Sequence, residues 1–328
     1  MPSYRDLVFF ALNRSDRLGE LVCDRLDQPR APHEERDFGD GEHKARPLQD
    51  VAGRDIYVLH SLHGEDEASV NDKLVRLLFF IATLKDAGAD RITAICPYLA
   101  YSRKDRRTKP HDPVTSRYVA QLFEGVGLDR MVTVDVHNIS AFENAFHHCQ
   151  TIHASTARLL ATHIAKHSER VPFTVMAPDA GGNKRAEVVR REVERLLGQP
   201  VTKAIIDKHR SKGVVSGSLF AGDVTERTVI IVDDMISSGG TMLRAVKACR
   251  EAGAARVIAA ATHGLFTSAS ALMGEQGPDE LIISDTVPLP AEWHDMPSLT
   301  VLSVADLLAD IIAQLHDGGD VSALLAYS

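Results

Sequence analysis

Short apolar runs rich in valine, isoleucine and alanine recur along the chain, separated by longer stretches whose apolar positions repeat with helical spacing. The short runs read as strands over 55–61, 91–98, 130–136, 173–177, 202–207, 228–232, 256–261 and 280–284. The longer stretches read as helices over 69–87, 113–126, 155–167, 184–197, 241–252 and 304–316, with Pro113 in the first turn of its helix. Apolar strands that each lead into an amphipathic helix predict parallel sheets covered on both faces. The alternation is comparable on either side of 148–155, so two α/β halves are expected with a seam there. The stretch 28–50 mixes charge, proline and glycine and reads as loop or a short hairpin.

The bulk numbers narrow the classes. With 328 residues, two domains of ordinary size fit, and 44% hydrophobic with 25% charged residues is an ordinary globular composition. A formal net charge of −8 argues against broad nucleic-acid or anionic-membrane binding. Cys23, Cys96, Cys149 and Cys249 are scattered, without a paired spacing, which suits a reduced cytoplasmic setting rather than a disulfide framework or zinc site. The apolar stretch 77–84 is too short to span a bilayer, and 1–14 does not read as a signal peptide.

The most informative run is 228–241, where β-branched residues lead to Asp233 and Asp234, then to Ser237, Ser238, Gly239, Gly240 and Thr241. A strand, a small-residue loop and a helix start can aim backbone N–H groups and hydroxyls at one phosphate. Two carboxylates beside it would repel a second anion and suit sugar hydroxyls or a metal ion. Four charge-assisted hydrogen bonds give roughly 6–12 kcal/mol, against an association cost of about 4–15 kcal/mol. Other segments must therefore contribute.

Four segments qualify. Arg103, Lys104, Arg106, Arg107 and Lys109 follow a strand and suit a polyphosphate. Phe38, Asp40 and Glu42 could stack a purine and accept from its amino group, although a turn with an inward phenylalanine is the simpler expectation. His137 ends a strand, but magnesium prefers oxygen ligands. Asp179, followed by a glycine pair and a basic helix start, could seat a pyrophosphate bridged by a divalent ion. Lys208, Arg210 and Lys212 precede Gly213 in what reads as a flap, able to stabilise charge that develops only in a transition state.

The run 228–241 resembles the phosphoribosyl-binding motif of the phosphoribosyltransferase fold. The ordered set, 38–42, 97–107, 135–137, 178–182, 207–210 and 222–241, resembles the ribose-phosphate pyrophosphokinase family over nearly the whole chain. The resemblance implies an α/β fold of two phosphoribosyltransferase-like domains, each a mainly parallel sheet flanked by helices. They would be an ATP-side domain over 1–152 and a ribose-5-phosphate-binding domain over 153–328, with a helix within 303–328 able to pack back on the first. It implies diphosphoryl transfer from MgATP to ribose 5-phosphate, a Mg2+ cofactor and a cytoplasmic homo-oligomer. Position by position, Phe38, Asp40, Glu42, Arg103 and Lys104 would bind ATP, and His137 and Asp179 would lie at the metal. Asp233, Asp234 and Ser237 to Thr241 would bind the sugar phosphate, and Lys208 and Arg210 would be catalytic.

Three positions depart from the family pattern: Lys104 stands where glutamine is common, Ser237 where the phosphate loop has aspartate, and Ala52 where a regulatory arginine is common. The last puts control by phosphate and ADP, and the usual hexamer, in question. Two other readings stay open: a transferase that consumes phosphoribosyl pyrophosphate, and a catalytically weak nucleotide-binding regulator.

Overall fold

The computed structural model describes residues 6–167, 171–211 and 214–325, without the side chains of 207–220 and 323. The chain forms two compact units, one of Met1–Ala154 with Ser303–Leu325, the other centred on Ser155–Leu302.

The first unit opens with β1 (Leu7–Ala11), α1 (Asp16–Leu26) and an antiparallel hairpin of β2 (His33–Asp37) and β3 (His43–Pro47). It continues through β4 (Asp55–Leu59), α2 (Val70–Asp86), β5 (Arg91–Cys96), α3 (Thr115–Gly125), β6 (Arg130–Val134), α4 (Ile139–Glu143) and β7 (Gln150–Ala154). Its five-stranded sheet runs β1-β4-β5-β6-β7, all parallel, so the strand order never reverses. A capping box starts α2, with Ser69 Oγ accepting from Asp72 N–H and the Asp72 carboxylate accepting from Ser69 N–H. Gly19 lets α1 press onto β1, since a Cβ there would meet the Ala11 Cβ at 2.3 Å.

The second unit comprises α5 (Ala157–Lys166), β8 (Phe173–Ala177), α6 (Asn183–Leu197), β9 (Val201–Ser211), β10 (Val214–Ala221), β11 (Thr228–Ile236), α7 (Gly240–Glu251), β12 (Arg256–Gly264), β13 (Glu280–Ser284) and β14 (Leu299–Leu302). The sheet order is β10-β9-β8-β11-β12-β13-β14, parallel apart from β10 against β9. The chain steps outward from β8 to β9 and β10, then returns to the other side of β8 as β11. Ligands of open α/β sheets bind at such a reversal, beyond the carboxyl ends of the strands. Burial on both faces explains the apolar strands: Val229 and Ile231 pack with Met242, Val246 and Cys249 of α7, while Ile230 and Val232 pack with α5 and α6.

After β14 the chain re-enters the first unit as α8 (Ala305–His316), which packs on α1. His316 Nδ1 lies 2.8 Å from Asp55 Oδ2, and Arg130 donates to the Leu315 carbonyl at 3.3 Å. Among the described residues no helix is long and apolar enough to cross a membrane.

Two local expectations change. Pro113 precedes α3 by two residues instead of sitting in its first turn, because Ser116 N–H and Oγ are held by the Lys104 carbonyl, each at 3.2 Å. β11 runs to Ile236, past the expected end at 232, so the two aspartates lie within the strand.

Candidate active site

At the reversal of the second unit, β11 carries Asp233 and Asp234. Asp234 is 3% exposed, and its N–H donates to Asp233 Oδ1 at 2.9 Å. Arg185, in the first turn of α6, places Nη1 3.4 Å from Asp234 Oδ1 and 3.9 Å from Asp233 Oδ1. Burial, then the neighbouring Asp234 charge, pushes the Asp233 carboxyl well above its ordinary range despite that guanidinium. α6 approaches closely because residue 182 is glycine: a Cβ there would lie 3.0 Å from the Ala177 Cβ and 4.0 Å from Asp233 Oδ1. Asp179 follows β8, and its Oδ1 accepts from Gly181 N–H at 3.0 Å.

Beyond β11, Gly239 takes a left-handed φ of 72° and starts α7, whose first turn has no side-chain cap. A Cβ on Gly239 would also sit 3.0 Å from Leu272 and 3.1 Å from Ala269, so backbone conformation and space both require glycine. The loop is braced at each end. Ser237 Oγ lies 3.1 Å from Thr267 Oγ1, and Arg244 Nη2 donates to Thr241 Oγ1 at 3.1 Å. Leu265 and Phe266 donate their N–H groups to the Ile236 carbonyl, and Phe266 stacks on Trp293 with ring centroids 3.8 Å apart. The segment bearing Thr267 is thereby fixed against the loop.

Lys208 and Arg210 lie on β9, opposite Ser218 and Val215 of β10. Their side chains, and Lys212 with Gly213 altogether, lie outside the described residues.

In the first unit, Phe38 is 40% exposed at the hairpin tip, with the Arg36 guanidinium 5.2 Å from its ring centroid. The expected inward turn is thus corrected: Phe38 N–H donates to the Glu42 carbonyl at 2.8 Å, closing a tight tip that projects the ring outward. Asp40 Oδ1 accepts from Glu42 N–H at 3.1 Å, and both carboxylate residues are exposed. The hairpin is anchored by Glu35, whose side chain is 1% exposed. Its carboxylate accepts from Asn13 N–H at 2.6 Å and Arg76 Nη1 at 2.9 Å, and meets His33 Nε2 at 2.9 Å. Burial alone would raise this carboxyl, but those bonds hold it down to about 2.

Arg103, Lys104, Arg106, Arg107 and Lys109 are exposed on the loop after β5. Asp112 organises that loop, accepting at Oδ2 from Thr108 Oγ1 at 2.6 Å and from Lys109 N–H at 3.0 Å. Asn138 Nδ2 donates to Asp105 Oδ2 at 2.6 Å, tying the basic loop to the segment that carries exposed His137. Asp135, buried at 5%, holds a strained φ of 39° just before that histidine. Among the described residues no group of three or more His, Cys, Asp or Glu side chains converges as a metal site.

Arg185, Asn138, Thr267 and Arg244 brace these loops without having been singled out individually in the sequence. Only Arg185 carried a signal, as part of the basic helix start after Asp179.

A seven-stranded, mainly parallel sheet whose reversal carries an acidic pair, a glycine loop and a helix start defines an α/β protein of the phosphoribosyltransferase-like fold class. Comparison with known proteins narrows this. Residues 7–127 match the model of the N-terminal domain of ribose phosphate pyrophosphokinase, and 199–326 match the phosphoribosyl synthetase-associated domain. The chain is 35% identical over 322 residues to ribose-phosphate pyrophosphokinase of Haemophilus ducreyi, covering 97% of this chain and 98% of that protein. It is 34% identical over 328 residues to ribose-phosphate pyrophosphokinase 1 of Streptococcus pyogenes serotype M3, covering 98% of each. The crystal structure of phosphoribosylpyrophosphate synthetase from Mycobacterium smegmatis matches with a TM-score of 0.86 and 36% identity, covering 96% of this chain and all of that one. This chain belongs to the ribose-phosphate pyrophosphokinase family.

Proposed function

We propose that the chain transfers the β,γ-diphosphoryl group of ATP to the anomeric hydroxyl of ribose 5-phosphate, releasing AMP and phosphoribosyl pyrophosphate. One observation carries the reading: in a chain of this family, the strand reversal of the second unit presents Asp233 and Asp234 followed by a loop and an uncapped helix start.

Ser237, Ser238, Gly239, Gly240 and Thr241 take the 5-phosphate at the positive end of α7. Asp233 and Asp234 accept from ribose hydroxyls, and Arg185 limits their repulsion of the phosphate. Phe38 stacks adenine, Asp40 and Glu42 accept from its amino group, and Arg103 and Lys104 hold the triphosphate. The family implies a divalent cation, and we take it as Mg2+, with His137 and Asp179 as the contributing residues. The Asp179 carboxylate fits a hard cation that needs few protein donors when phosphates and water complete its shell. His137 fits better as a partner of bound water than as a direct ligand. When bound, such a cation would neutralise charge on phosphate oxygens.

In the transfer, the anomeric oxygen attacks the β-phosphorus and the bond to the oxygen bridging to the α-phosphorus breaks. AMP leaves with that electron pair, and the hydroxyl proton passes to solvent. Lys208 and Arg210 stabilise the charge spread over the transferring group.

The test incubates purified protein with MgATP and ribose 5-phosphate and follows AMP. AMP and phosphoribosyl pyrophosphate in equal amounts are expected. No AMP, with base-dependent pyrophosphate release from phosphoribosyl pyrophosphate, would favour a transferase instead. We further propose self-association: Phe79 of α2 and Leu122 of α3 are 56% and 51% exposed, and sedimentation equilibrium should report a species heavier than one chain.

A further inference from the structure

Arg244 lies one turn into α7, and helical side chains lean back toward the amino end. Its Nη2 is 3.1 Å from Thr241 Oγ1, and a Cβ built on Gly240 would lie 3.5 Å from its Nη1. The guanidinium therefore lies along the loop. A guanidinium has donors only, so in this pair the Thr241 oxygen accepts. A hydroxyl has one proton, and Thr241 must then donate it to a group other than Arg244.

Resting on the assignment of Ser237 to Thr241 to the 5-phosphate, we propose that Arg244 is a positioning residue for ribose 5-phosphate. It holds the Thr241 hydroxyl as a donor toward the phosphate and sets a fixed positive charge behind it. Polarisation through the chain guanidinium–hydroxyl–phosphate strengthens the outer bond. The charge also counters the acidic pair on the same site: Arg185 already engages Asp233 and Asp234, whereas Arg244 serves the opposite end of the loop.

Calorimetric titration with ribose 5-phosphate tests this on the wild type, Arg244→Met, Arg244→Lys, Thr241→Val and the Arg244→Met/Thr241→Val pair. Arg244→Met should bind about tenfold more weakly, with an unchanged KM for ATP, as loss of one charge-assisted bond requires. Arg244→Lys, which restores a charged donor, should recover most of the affinity. The double variant should lose less than the product of the two single losses, because both remove one relay. Arg244→Gln replaces Arg244→Met if the latter fails to fold. Affinity within twofold of wild type in the charge-deleted variant, or fully multiplicative losses, would overturn the inference. Arg244-dependent binding without AMP formation would instead refute the proposed reaction and leave this role standing.

Discussion

Asp234 and Arg185 show how little separates a binding group from a liability at the level of single residues. A carboxylate that is 3% exposed is tolerable because a guanidinium stands 3.4 Å away. The side chain expected to matter most for rate is Lys208. Lys208→Ala should lower kcat at least a hundredfold while the KM for ATP stays within about twofold, because the cation acts on charge that develops in transit. Steady-state kinetics in both substrates decide it, and equal changes in kcat and KM would remove Lys208 from that role. The strand, glycine loop and helix start of 228–241 were legible because a β-branched run that ends in small residues before an amphipathic stretch has few other conformations. Their bracing was not, since Arg244 and Thr267 look like ordinary surface residues until the fold brings them to Thr241 and Ser237.

Elements buried on both faces were the easiest to read. The strands 173–177 and 280–284 coincide with β8 and β13, whose apolar runs have no solvent face. β1 and α1 escaped, because a single short apolar run at 7–12 and a glycine in the following helix weaken both patterns. The β2–β3 hairpin was only half legible: His33–Asp37 and His43–Pro47 show no apolar alternation, and charge rather than apolar packing anchors them through Glu35. That anchor makes a pH prediction. Lowering the Glu35 carboxyl from 4.5 to about 2 contributes on the order of 3 kcal/mol. The folded value is depressed, so this contribution is complete above the unfolded value and is lost as pH falls through about 2. Urea unfolding should find Glu35→Gln less stable than wild type at pH 7, with the gap narrowing below about 4.5. A gap independent of pH would show that the carboxylate's charge is not the anchor.

The whole molecule is arranged so that sequence order and spatial order differ. The first unit takes its last helix, α8, from beyond the second, and Leu308, Ile311, Ile312 and Leu315 of that helix are buried. Ile312→Ala should cost about 2–5 kcal/mol in unfolding free energy. Hydrogen exchange should place the faster-exchanging amides in β1 and β4 rather than in β11. Protection lost equally across both units would argue that they unfold as one.

The two sheets also differ in strand order, since only the second reverses. The return of α8 has a consequence for biosynthesis. A ribosome delivers chain from its amino end, yet the first unit lacks a layer of its core until residues 305–316 have emerged. The second unit is already entire by then. The half begun earlier is therefore the half finished later, and during that interval the surface awaiting α8 is open to whatever else the cell offers.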